Sequence, residues 1–409
     1  RKKGQTTNKS EARKVKKSMK RRKNKSLLAV FVISILIIAA VVVALHRKNE
    51  KNNPVPTDSY TPIPTGTEPA QSSAAPSTAA PEEPKPTDSL EIRTDYEDFL
   101  PNEAGEIPII MFHRFIEAYE PNTDKEYTTT FEEFRALLQT LYDQGFRLIS
   151  MQDFIDCNIS VPAGTMPMVF TFDDGSSGQF NLIEEDGQYK ANPKSAVGVM
   201  MEFHEKHPDF GLKGIFYINM DIGDNTFKGQ GALKERFEFL ENLGFELGSH
   251  TWGHVDYSEI HSKDKVLESL GKNQEKAEEI LPGLRFYSLA LPYGSRPSDE
   301  SLRPILQKGN YNGMEYYHES IMAVGAAPSA PSISMNYDSL YVRRIRAQGR
   351  VAVDADLTWW LPKMTAERMF ISDGDPQTIV VPLDKAENID EQKLNGKKFI
   401  SYDNKSAKE

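Results

Sequence analysis

The chain has 409 residues, 39% of them hydrophobic, with 49 Lys and Arg against 59 Asp and Glu for a net charge of −10, enough for one large domain with appendages. The single cysteine, Cys157, excludes an intrachain disulfide. Thirteen Lys or Arg and one Glu fall in Arg1–Lys25, so the remainder sums to −22, which excludes nucleic acid as a partner of that acidic part.

Residues 1–26 form a basic arm, and its position explains it. Directly after it, Leu27–Leu45 runs for nineteen residues without a charge and with one serine, about 28 Å as a helix and close to the thickness of a bilayer core. A transmembrane helix over residues 27–45 is predicted, with the lysines and arginines keeping the N-terminus in the cytoplasm and placing the rest outside as a single-pass, membrane-anchored extracellular domain. A cleaved signal peptide ending near Ala44 is the rival reading, but its apolar core is usually shorter. Residues 46–89 are rich in Pro, Ser, Thr and Ala and are expected to be a linker that cannot bury enough surface to fold. Its Pro-rich stretch, from about Asn52 to Asp88, reaches up to about 100 Å at roughly 3 Å per residue.

Beyond it, strand and helix signals alternate over residues 90–350, as in an α/β domain. The pattern predicts strands at Ile107–Phe112, Phe146–Ser150, Met168–Phe172, Lys213–Asn219, Phe245–Gly248 and Phe286–Leu291. Helices are predicted at Phe131–Tyr142, Ser195–Lys206, Leu233–Asn242, Asp264–Ile280 and Leu302–Gln307, with Gly145 and Gly244 as stops. Residues 176–194 form a long polar stretch beside the Asp-Asp-Gly turn. Tyr341–Ala347 is a late strand bearing Arg343, Arg344 and Arg346. Trp359 and Trp360 suit either sugar stacking or a core. Residues 351–409 form a C-terminal extension, read as a small β appendage or a frayed tail.

Three of the strands end in residues able to do chemistry. Met168–Gly175, MVFTFDDG, is a buried strand breaking into two carboxylates that alternation points apart, so one can hold a metal while the other moves a proton. Phe245–His254, FELGSHTWGH, brings two histidines four residues apart. Asp174 with His250 and His254 makes a ligand set common for catalytic zinc, with positions left for water, whose acidity the ion raises. Cobalt, nickel or iron suits the same donors. Convergence of strand ends on one site fits a barrel.

TFDDG, SHTWGH and then LPYG at Leu291–Gly294 resemble the polysaccharide deacetylases, the carbohydrate esterases with a NodB homology domain, over roughly residues 107–346. The resemblance implies an α/β fold, a distorted (β/α) barrel, and removal of N-acetyl groups from acetylated polysaccharide, in cell wall or exopolysaccharide. It implies Asp173 as general base, a divalent metal, zinc first, on Asp174, His250 and His254, and substrate contact by Pro292 and Tyr293, with the Tyr293 N–H in the oxyanion hole. The chain departs from the family twice. Ala290 stands where the third motif carries an arginine that contacts the base, for which one of the late arginines is a candidate replacement. The family's late histidine acid is missing, and His113 in IPIIMFHRF is the candidate acid; the branch acting on poly-N-acetylglucosamine resembles the chain there, with a strand ending in a histidine motif before TFDDG. These departures leave two alternatives, a glycan-binding pseudo-deacetylase and a related metal-dependent amide hydrolase.

Overall fold

A computed structural model describes residues 91–347 and 354–404. The predicted transmembrane helix and linker lie outside the described residues, and among these no helix is long and apolar enough to cross a membrane.

Eight parallel strands form the main sheet. In spatial order, Ser320–Met322, Ser288–Ala290, Glu246–Ser249, Ile215–Ile218, Met166–Asp173, Ile109–Phe112 and Ile345–Arg346 lie side by side, and Phe146–Leu148 pairs with the start of Met166–Asp173. One segment joins the two edges. Val342 bridges to Met322 at one edge, while Ile345 and Arg346 pair with Ile110 and Met111 at the other. The result is a distorted parallel half-barrel rather than a regular eightfold barrel, because the joining segment gives each neighbour only one or two residues.

Side-chain alternation divides each strand between two cores. Met168, Phe170 and Phe172 pack outward with Phe112, Phe134, Leu138 and Phe216 beneath the helices, with Phe172 stacked between Phe112 at 5.4 Å and Phe216 at 4.6 Å. Val169 faces inward with Ile109, Ile215, Tyr217, Ala290 and Met322. Phe370, Ile379, Val381, Ile389 and Leu394 of the C-terminal extension join that inner cluster. The extension is therefore core-forming and not a frayed tail. Its strands Thr378–Pro382 and Lys398–Tyr402 pair parallel.

Helices Phe131–Asp143 and Ala196–Lys206 cover the sheet, and each starts where its sequence dictates. Thr130 and Glu133 form a reciprocal capping box, and the Ser195 hydroxyl accepts the Gly198 N–H, each cap worth about 1 kcal/mol. The polar stretch 176–194 contains a hairpin, Leu182–Glu185 with Gln188–Ala191, turned by Asp186 and Gly187, both at positive φ. Asn312 and Gly313 do the same between Lys308–Tyr311 and Met314–Tyr317. Asx-Gly at positive φ is the natural two-residue hairpin turn.

Beside the second hairpin, His318 is buried with Nδ1 donating to the Leu306 carbonyl at 2.6 Å. Burial pushes its pKa down to about 4. The unfolded chain protonates this group near pH 6.5 and the folded chain only near 4, so its contribution is complete above pH 6.5 and is lost as pH falls through that window. Integrated over the window this amounts to about 3 kcal/mol. Denaturant unfolding of the chelated protein at pH 7 and pH 4.5 should therefore show a smaller loss of stability in His318→Gln than in the wild type. Equal losses would contradict the assignment.

Candidate metal centre and active site

The inner face turns polar where the strands end. Thr171, Asp173 and Arg344 are buried there, and a cavity of about 700 Å³ opens above them. His113, Tyr127, Asp174, Asn219, His250 and Tyr293 are among its walls. Strand ends far apart in sequence thus deliver His113, Asp173, Asp174, His250, His254 and Tyr293 to one mouth. Pro292 is buried behind it and does not line the cavity, whereas Leu291 does. Trp359 and Trp360 pack edge to face at 4.9 Å away from the cavity lining, and the Trp360 indole donates to the Ala326 carbonyl. Their role here is in packing.

Left-handed turns aim the site residues. Asp174 has φ 82°, His254 φ 46° and Tyr293 φ 57°, conformations costing about 1–3 kcal/mol each for non-glycine residues and typical of functional sites. The turn at Asp174 sends its carboxylate into the cavity, with the side chain 41% exposed, while Asp173 one residue earlier stays buried. Among the described residues no protein group accepts the Tyr293 N–H, and its ring, 67% exposed, packs edge on against His254 at 4.8 Å.

The donor set fits a metal. Asp174 Oδ1 lies 3.5 Å from His250 Nε2 and 3.5 Å from His254 Nε2, and one atom from each of the three residues falls within 4.8 Å of the others. Two atoms about 2.0 Å from one ion at a tetrahedral angle sit about 3.3 Å apart, so the observed spacing is close to that of a loaded site. His250 Nδ1 is 2.9 Å from the Ala290 carbonyl. That bond fixes the tautomer with Nε2 bare, the usual support of a metal-binding histidine. Asn219 adds a second support, donating through Nδ2 to the carbonyls of both His250 and Thr251. In the metal-free protein, burial pushes the His250 pKa down and the charges of Asp173 and Asp174 more than offset it, raising it above the ordinary value. Burial also disfavours ionised Asp174, yet His250, His113 and His254 hold its carboxyl well below the usual range. Protons therefore compete with a metal at His250, and affinity must fall as pH falls through that raised value.

Asp173 sits in a different environment. Arg344, 0% exposed, grips it with both ends of the guanidinium, Nη1 to Oδ1 at 2.7 Å and Nη2 to Oδ2 at 2.8 Å. Arg344 is itself held by Thr171 Oγ1 at 3.1 Å and the Ala323 carbonyl at 2.9 Å. Burial pushes the Asp173 carboxyl up, and Arg344 followed by His250 outweigh it, leaving the group below its ordinary value. Of the three late arginines, Arg344 points inward, Arg343 is exposed, and Arg346 pairs with Glu126 at 3.1 Å. His113 Nε2 is 3.9 Å from Asp173 Oδ2, its Nδ1 is buried with no hydrogen-bond partner among the described residues, and burial lowers its pKa despite Asp173 and Asp174.

Residues 161–314, which hold Asp173, Asp174, His250, His254 and Tyr293, match the family model "Polysaccharide deacetylase". Similar solved structures include the Streptococcus pyogenes deacetylase PplD in complex with acetate, 16% identical over 64% of this chain and 98% of that one, TM-score 0.46. A polysaccharide deacetylase from Bacillus cereus is 19% identical over 64% and 69%, TM-score 0.46, and IcaB from Ammonifex degensii 17% over 61% and 94%, TM-score 0.42. No curated protein matches the sequence.

Proposed function

We propose that this protein is a metal-dependent hydrolase that removes N-acetyl groups from N-acetylglucosamine-containing glycans outside the cell, anchored in the membrane by residues 27–45. The observation that carries the catalytic part is the pairing, in one cavity, of an Asp174–His250–His254 donor set with a separate carboxylate, Asp173, that is held ionised and buried beside it. Asp174, His250 and His254 would hold a divalent cation, whose positive charge would polarise the acetyl carbonyl and acidify water. Zinc suits the set best, and cobalt, nickel or iron also fits.

The chain's own residues do the rest. Asp173 takes a proton from the water whose oxygen attacks the amide carbon. The Tyr293 N–H, which no protein group accepts among the described residues, donates to the oxygen that gains charge. His113 gives a proton to the nitrogen as the carbon–nitrogen bond breaks, leaving acetate and a free amine. Burial makes its imidazolium a stronger acid than an exposed one. The walls suit a hydroxyl-rich ring, with Tyr127, Tyr293 and Ile222 offering apolar surface and Asp221, Asn219 and Arg114 offering hydrogen bonds.

The absent motif arginine at Ala290 is the main reason to read the chain as a glycan-binding pseudo-deacetylase, and the bidentate contact of Arg344 with Asp173 supports activity instead. Acetate release from N-acetylglucosamine oligomers and from peptidoglycan tests the proposal, with other acylated amides alongside. Asp173→Asn should lose turnover by about 10²-fold or more while keeping its metal. A variant with wild-type acetate release would refute the base assignment.

A further inference from the structure

We infer that Gln179 is a positioning residue, a buried carboxamide clamp that sets the separation of Asp173 and His113. The inference rests on the roles given to those two residues above. The hydrogen-bond ladder between their strands ends at the pair Phe112–Phe172. Asp173 and His113 are the next residue on each strand, so nothing in the ladder fixes their distance. Gln179 takes over at that point. Its Nε2 donates to the His113 carbonyl at 2.5 Å and also to the Asp173 carbonyl. Both partners are acceptors, so only the NH₂ end of the amide can face them, and its two hydrogens are both used.

The clamp is rigid. Gln179 is 0% exposed, and its own carbonyl accepts the Val197 N–H while that of Gly178 accepts the Ala196 N–H, tying it to the first turn of helix Ala196–Lys206. Gly178 packs so closely under the His113 strand that an added Cβ would collide with the Phe115 carbonyl oxygen. The Gln179 Oε1 is buried with no partner among the described residues, so what holds this side chain in place is the pair of carbonyls. Among the described residues its carboxamide makes no hydrogen bond to the side chains of Asp174, His250 or His254, so the clamp bears on the proton-transfer pair before the metal donors.

The test is a split between kcat, KM and metal affinity. Gln179→Met should fold and bind zinc with an affinity within about twofold of wild type, keep its KM for N-acetylglucosamine oligomers, and lose kcat by about 10²-fold, the scale of an ångström of misplacement. Gly178→Ala, which pushes the same strand ends apart by a different route, should show the same split. Should Gln179→Met not fold, Gln179→Asn, one methylene too short to span both carbonyls, reads the same quantities. A folded variant with wild-type kcat overturns the clamp, and so does a kcat loss that runs in step with lost zinc affinity. His113→Ala in parallel separates the two levels. Turnover lost there but kept in Gln179→Met overturns the clamp alone, whereas turnover kept in His113→Ala overturns the acid assignment and the clamp with it.

Discussion

Replacing Arg344 by methionine is expected to destabilise the metal-free protein by about 3–5 kcal/mol and to lower turnover by about 10²-fold or more. The stability loss follows from burial. Arg344 and Asp173 are each almost wholly removed from water, and cutting one partner strands the other as an uncompensated charge. The activity loss follows from protonation. Burial raises the Asp173 carboxyl pKa, and Arg344 is first among the groups that lower it, so its removal lets burial dominate. The sign of the pH effect is fixed by that order. As the proposed base, Asp173 must be a carboxylate; its pKa rises in the variant, so the acid limb of turnover should move to higher pH. Arg344→Lys keeps the charge but not the two-pronged contact and should fall between the two. Denaturant unfolding and acetate release across pH check both effects, and an acid limb unmoved in Arg344→Met would contradict the pairing.

His250→Ala is expected to remove stoichiometric metal and to abolish turnover. His250 is buried, its ring fixed by the Ala290 carbonyl and its free nitrogen turned to Asp174, so alanine deletes a donor that nothing nearby replaces. Asp174→Asn should do the same with a milder effect on folding, because its side chain is 41% exposed. His254, also partly exposed, should likewise be more tolerant than His250 in stability. Metal content after gel filtration separates these outcomes. Either variant retaining a full complement of metal would show that the ion sits elsewhere.

Much of this site is legible in the sequence, for a physical reason. Strand-then-turn segments such as MVFTFDDG and FELGSHTWGH announce both the strand and the place where it stops, and in a parallel barrel all such ends gather at one mouth. The metal donors are therefore recoverable from spacing and residue type. Arg344 is only half recoverable. Arg343, Arg344 and Arg346 all lie on a segment where pairing covers Ile345–Arg346 and one bridge at Val342, too short a strand for alternation to decide which arginine faces inward. Gln179 and Asn219 are not recoverable at all, because a buried carboxamide, whether in a polar loop or at a strand end, looks like any other polar residue until its carbonyl partners are placed. The hairpin at Leu182–Ala191 carries its own signal in Asp186–Gly187, yet its strands lack clean alternation, so the stretch reads as a loop. The C-terminal extension misleads in the opposite way. Its apolar runs are short and far apart in sequence, but tertiary contacts with Ile107 and Ile109 bury them together.

The most direct measurement is metal content and acetate release for residues 90–409 before and after chelation. The account predicts one divalent ion per chain on Asp174, His250 and His254, acetate release from N-acetylglucosamine oligomers that disappears with the chelator, and recovery when zinc is returned. Acetate release that persists at full rate in folded, metal-stripped protein would contradict it.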